Sequence, residues 1–237
     1  MATSVFDDFL DSFDWPVTPT PNGDWKNLDR GEAESLLENA RNGFESSGYT
    51  VLAARATPAS FYPGHLLLDL LVSIEGERES GLLSFVVGPK LVLLDGNSRQ
   101  IHDLNGTAPL ALDDENAAED YLRFFCLHIR SDGGAFLVID NIDDLAWVGA
   151  QTDADLRADV ASAIQPLAPE ETVDDAPGSG YTATVYYKKH LFQCHFRVGP
   201  DGVVEMVDDT PIKLETGDNE LPIAPQRFSG PVRLIED

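Results

Sequence analysis

Apolar residues recur along this chain with two periods, and the switches between them mark its elements. Phe6, Phe9, Leu10 and Phe13 fall at i, i+3, i+4 and i+7, one face of a short helix, with Asp7, Asp8, Asp11 and Asp14 elsewhere on its surface. The following PVTPTPNGDW, with three prolines and an Asn-Gly pair, reads as extended linker. From Gly31 to Gly48 a second helical pattern places Leu36, Leu37, Ala40 and Phe44 on one stripe, with Glu32, Glu34 and Glu38 toward the positive end of the helix dipole. The period then falls to two. Tyr49–Ala56, His65–Ile74, Gly81–Val87, Leu91–Leu94 and Gln100–Leu104 read as a meander of strands, with turns at Glu75–Ser80, Gly88–Lys90 and Asp95–Ser98.

Asp113 or Asp114 then caps a helix running to Arg130, whose second half, Tyr121–Ile129, is apolar nearly all round and therefore belongs in a core. A strand over Ala135–Asp140 leads to the acidic Asn141-Ile142-Asp143-Asp144, and Leu156, Val160 and Ile164 give a third helix, Asp153–Gln165, one apolar stripe. Leu167–Gly180 has the composition of an acidic loop. Strands resume at Tyr181–Tyr187, His190–Val198, Val203–Val207 and Ile212–Leu214, and Val232–Ile235 closes the chain with a last short one. Phe85-Val86-Val87-Gly88-Pro89 echoes Phe196-Arg197-Val198-Gly199-Pro200, an offset that Val92/Val203 and Ile101/Ile212 also keep.

These patterns predict an α+β fold: antiparallel β-meanders packed on two or three helices, the one over about 114–130 centrally buried. The expected organisation is an acidic, aromatic segment with its Pro-rich linker over 1–30, an α+β domain over 31–150, and a second helix-and-meander unit over 151–237 that is either separate or continuous with it.

Charge narrows the functional classes. The 237 residues carry 41 acidic and 16 basic side chains, a net −25, and the segment 131–176 alone has 11 carboxylates and one Arg. Phosphate contacts need Lys and Arg, so direct nucleic-acid binding is disfavoured, and an acidic N-terminus with no long apolar run argues against a membrane span or a basic targeting peptide. Two cysteines in apolar runs, Cys126 and Cys194, suit buried thiols in a reducing compartment, so a cytoplasmic location is expected.

Motifs for catalysis are absent. There is no phosphate-binding glycine loop, no zinc-type spacing among the five histidines, and Ser179 between two glycines precedes a strand rather than joining strand to helix. On a strand His190 and Cys194 share one face while His195 points to the other, so they do not converge on a metal. No cofactor is expected. The preferred reading is a non-enzymatic interaction module of inhibitor, immunity or adaptor type, which engages the basic surface of a protein partner through Asp140, Asp143, Asp144, Asp153, Asp155 and Asp159, with DNA mimicry as a special case. Phe6, Phe9, Leu10 and Phe13 either dock as a tethered peptide in a partner's groove or fold back on their own domain. The alternative is a small divalent-metal hydrolase using Asp140, Asp143 and Asp144 at the end of a strand.

Overall fold

A computed structural model describes Trp15 and residues 23–39, 42–45, 48–76, 80–132, 134–148, 154–170, 177–217 and 220–223. The aromatic face of Phe6, Phe9, Leu10 and Phe13, the carboxylate Asp153 and the strand expected over Val232–Ile235 lie outside these residues. The fold is α+β, with meandering antiparallel sheets and helices between them. Among the described residues, Trp15 and 23–95 form one compact unit and 96–223 another, so the division falls at Asp95/Gly96.

The first unit is one five-stranded antiparallel sheet and one helix. β1 (Lys26–Leu28), α1 (Arg30–Asn39), β2 (Tyr49–Pro58), β3 (Leu66–Ile74), β4 (Gly81–Val87) and β5 (Leu91–Leu93) follow in order, and the strands lie in the order of the chain. Residues 26–28 are not part of an appended segment, because they pair with Ala54–Ala56 and Leu28 packs on the sheet. α1 starts with a reciprocal cap in which Asp29 N–H donates to Glu32 Oε2 and Glu32 N–H to Asp29 Oδ1, at 2.9 and 2.8 Å. It is shorter than the apolar stripe suggests. The Asn42 amide bonds both the carbonyl and the N–H of Leu91, at 2.9 and 2.8 Å, which ties 42–45 to the edge strand β5 and not to the helix. Phe44 still reaches the core, its ring 5.7 Å from Phe85 in an edge-on contact.

Both faces of this sheet are buried. One carries Ala54, Ala56, Leu68, Leu70, Leu83 and Phe85 against Ala33, Leu36 and Leu37 of α1. The other carries Ala53, Leu67, Leu71, Leu82 and Val86, interrupted by one polar row. In that row Arg55 stands opposite Asp69, and Asp69 opposite Ser84. Arg55 Nε and Nη2 both donate to Asp69 Oδ2, at 2.9 and 2.8 Å, and Ser84 Oγ donates to Asp69 Oδ1 at 2.7 Å. The guanidinium carbon lies 4.4 Å from the Trp15 ring and 4.7 Å from the Trp25 ring, so two indoles stack on the one buried cation of the sheet.

The second unit contains α2 (Ser98–Asn105), α3 (Glu115–His128), β6 (Arg130–Ser131), β7 (Gly134–Ala135), β8 (Leu137–Ile139), a 3-10 turn at Ile142–Asp144, α4 (Ala154–Ala163), β9 (Ala168–Glu170), β10 (Ser179–Tyr187), β11 (His190–Val198) and β12 (Val204–Pro211). The strand expected over Gln100–Leu104 is helical. Asn97 caps it by accepting the Arg99 N–H at 3.0 Å, and Ile101 and Leu104, three residues apart, bury together on one face, a spacing that the period-two reading did not use. It follows that the internal echo ends at the Gly-Pro turns, where Gly88 N–H bonds Lys90 O and Gly199 N–H bonds Val203 O, because Ile101 is helical and Ile212 is not.

α3 is the expected core helix. Asp114 caps it, accepting the Ala117 N–H at 3.2 Å, and every residue from Tyr121 to His128 is buried. It ends at His128, with Ile129 extended and Arg130 entering β6. β10 is the centre of the main sheet. It pairs with β11 along its whole length and, on its other side, with β8 and β9 placed end to end. β9 thus lies in a stretch whose composition predicts only loop, recruited because its backbone completes the edge of β10. β12 pairs with β11 and is the last strand of the sheet among the described residues.

Tyr121 ties α3 to the β11–β12 turn. Its hydroxyl donates to Gly202 O at 2.7 Å and accepts from Asn105 Nδ2 at 2.8 Å. Gly202 has φ +74°, and a Cβ there would come within 2.4 Å of Asn105 Nδ2 and 2.8 Å of Tyr121 Oη. Gly217 has φ +76° with open space around it. In urea melts Gly202→Ala should therefore lose about 1–3 kcal/mol, and Gly217→Ala clearly less, because the second substitution carries backbone strain without the collision.

Candidate interaction surface

The acidic segment does not present its carboxylates as one face. Asp140, at the end of β8, forms a two-pronged ion pair with Arg123 of α3, at 2.7 and 3.0 Å, and also accepts the Leu167 N–H at 3.0 Å. Arg123 is buried, so this pair anchors the strand to the core helix. Asp144 closes its own turn: one oxygen accepts the Asp140 and Asn141 N–H groups, at 2.7 and 3.0 Å, and the other accepts from Asn141 Nδ2 at 3.2 Å. Asp159 on α4 accepts the Thr216 N–H at 2.8 Å and so holds the loop after β12. These three of the expected binding residues are engaged in holding the fold.

Asp143 and Asp155 remain on the surface. The Asp143 side chain is 87% exposed, with Arg157 at 3.9 Å, and Arg157 itself lies over the Trp147 ring. Asp155 is exposed in the first turn of α4, where it favours the helix dipole.

Two of the three carboxylates named in the metal-hydrolase alternative, Asp140 and Asp144, are engaged with the protein. Both oxygens of Asp140 and of Asp144 already accept hydrogen bonds from the protein, and among the described residues no three His, Cys, Asp or Glu side chains are placed to hold a metal ion. Reactive thiols are not offered either. Burial pushes the Cys126 thiol far above its ordinary value and raises Cys194 to about 12, with the carboxylates of Asp209 and Asp208 adding to the second shift. His195 meets Glu170 at 2.8 Å on the opposite face from Cys194, while the neighbouring Thr182 hydroxyl is bonded to Gln193.

Burial also acts on Glu119 of α3, whose carboxyl is raised chiefly by desolvation, opposed by Arg123 and reinforced by Glu115, Asp140 and Asp120. A carboxyl raised in the folded state favours folding when protonated, and that contribution is lost as pH rises through its folded value. Glu119→Gln should therefore melt higher than the wild type at pH 7, and the gap should close at about pH 4 and below, where Glu119 is protonated in both states.

β12 is the acidic surface that segment-by-segment charge does not reveal. Its sequence VEMVDDTP holds three carboxylates and no cation, and every residue from Glu205 to Pro211 is exposed. Glu205 pairs with Arg197 at 3.0 Å, whereas Asp208 and Asp209 have no ion-pair partner among the described residues. Val203, Met206 and Val207, exposed at 48, 39 and 52%, are three of the four large apolar side chains exposed among the described residues. The region 177–237 hides this strand in an average, because Lys188, Lys189, Arg197 and Lys213 offset its acids. In the first unit a groove of about 720 Å³ along β1 and the start of α1 is lined by the apolar Leu28, Leu36 and Leu66 and by Asp24, Asp29 and Glu32 together with Lys26.

No helix among the described residues is long and apolar enough to cross a membrane. No protein-family model, curated protein or solved structure matches this chain.

Proposed function

We propose that this chain is a non-enzymatic interaction module that binds the basic surface of a protein partner, with Asp143, Asp155, Asp208 and Asp209 as its recognition charges. The observation that carries the reading is β12: eight residues with three carboxylates, no cation and nearly complete exposure. Exposed surface charge of one sign speeds encounter with the opposite sign and rejects like-charged competitors. Exposed apolar side chains among the acids supply contact area that charge alone lacks. DNA mimicry is a narrower version of the same reading, in which the partner's basic surface is one that binds nucleic acid.

Affinity capture from the native host, with cross-linking and mass spectrometry, tests it. The captured protein should present a basic surface, and its retention should weaken between ionic strengths of about 0.01 and 0.15 M, over which the Debye length falls from ~30 to ~8 Å. Capture of a partner with no basic surface, held equally well at both ionic strengths, would contradict the proposal.

A further inference from the structure

The backbone of β12 is as distinctive as its side chains. Two bonds set its hydrogen-bonding alternation: Gly199 N–H to Val203 O at 2.8 Å at one end, and Ile212 N–H to Leu191 O at 2.9 Å at the other. Counting inward through the register, the pairs that do not exchange backbone bonds are Val204↔Val198 and Pro211↔Phe192 at the ends and, nearer the middle, Met206↔Phe196 and Asp209↔Cys194. The N–H and C=O groups of Met206 and Asp209 therefore point away from β11, to the side where the sheet has no further strand among the described residues. Between them the register shifts, leaving Val207 as the extra residue of a β-bulge. β5, at an edge of the first sheet, is treated differently, since the Asn42 amide bonds both backbone groups of Leu91 there.

We propose that the open edge of β12 docks an extended segment of the protein partner as an added antiparallel or parallel strand, with Lys or Arg at alternate positions of that segment. This rests on the reading of the chain as a module for basic partners. Main-chain bonds to Met206 and Asp209 supply affinity, as in other strand additions, and Glu205 and Asp208, opposite Arg197 and His195 on one face of the sheet, select the basic side chains, while the Asp209 side chain lies on the other face. A second copy of this chain is the wrong occupant. Pairing two β12 strands would set carboxylates against carboxylates, and the bulge with its charges is the kind of device that keeps like edges apart. Exposed Val203, Met206 and Val207 give the added strand an apolar footing beside the charges.

A phage-displayed library of random twelve-residue peptides, selected on the whole protein, supplies the probe. The strongest binder should carry Lys or Arg at every second position, weaken with salt, and slow amide exchange at Met206 and Asp209. Met206→Pro and Asp209→Pro remove outward-facing donors while sparing the bonds to β11, so each should weaken binding at least ten-fold. Two synthetic copies of the peptide, N-methylated at odd or at even positions, test the same bonds without altering the protein, and one of the two should lose binding by a similar factor.

If both methylated peptides bind like the parent while binding stays basic and salt-sensitive, edge pairing is wrong and the charge reading stands. Selected peptides without Lys or Arg enrichment, bound independently of salt, would overturn both. Dimers in sedimentation that vanish in Met206→Pro would make a second copy the occupant and overturn the proposed one.

Discussion

Asp69→Ala should destabilise the first unit by about 3–5 kcal/mol, a large share of the roughly 5–15 kcal/mol that holds a domain folded. The side chain is buried, and its two oxygens satisfy Arg55 Nε and Nη2 and Ser84 Oγ. Removing it takes from a buried guanidinium, stacked on two indoles, the carboxylate that both Nε and Nη2 use. The size of the loss reports the cost of burying that charge without Asp69 rather than the net value of the pair. The double variant Arg55→Met/Asp69→Leu should therefore recover most of the stability, because it removes both charges and fills the space with apolar atoms. Urea melts followed by tryptophan fluorescence suit this test, since Trp15 and Trp25 lie against Arg55. A double variant as unstable as Asp69→Ala would mean that the row contributes specific attraction beyond satisfying itself.

Phe125→Ala should cost a comparable 3–5 kcal/mol in the second unit. Phe125 is buried on α3, its ring 5.7 Å from His102 and 6.3 Å from Tyr121. Truncation opens a cavity in a helix whose residues from Tyr121 to His128 are all buried, so the neighbours have little room to collapse into it. A loss below about 1 kcal/mol in urea melts would place α3 at the surface and contradict its central role.

α3 was legible because an apolar run around all sides of a helix admits few other readings, and Asp114 marks its start. Most strands of the two meanders were legible from alternation, including the whole of β11, but Ile212–Leu214 is not a strand, because β12 runs on unbroken from Val204 to Pro211. Gln100–Leu104 is not legible in this way, because five residues hold too little pattern to separate a period of two from a spacing of three, and the deciding cap, Asn97, lies outside the apolar run. The Arg55–Asp69 pair left a signal that went unused: one charge of each sign, alone in the apolar strands YTVLAARATP and LLLDLLVSI of consecutive elements, is the mark of a buried cross-strand pair.

The candidate surface was the least legible part. Carboxylates that cap a turn, bridge to a core Arg or hold a loop look in sequence like carboxylates facing water, and Asp144, Asp140 and Asp159 are of those kinds. Conversely, β12 is exposed from Glu205 to Pro211, and its place at the edge of the described sheet depends on pairing between distant strands that no local pattern records.

The most direct test of the account is the association rate of the captured partner with the wild type and with a variant carrying Asp143→Asn, Asp155→Asn, Asp208→Asn and Asp209→Asn. These positions spare the carboxylates of Asp140, Asp144 and Asp159 that hold the fold, so the variant should melt close to the wild type. At an ionic strength of about 0.01 M it should associate about ten-fold or more slowly, and the two rates should converge as salt rises and the Debye length shortens. Equal association rates across the whole salt range would contradict recognition by charge.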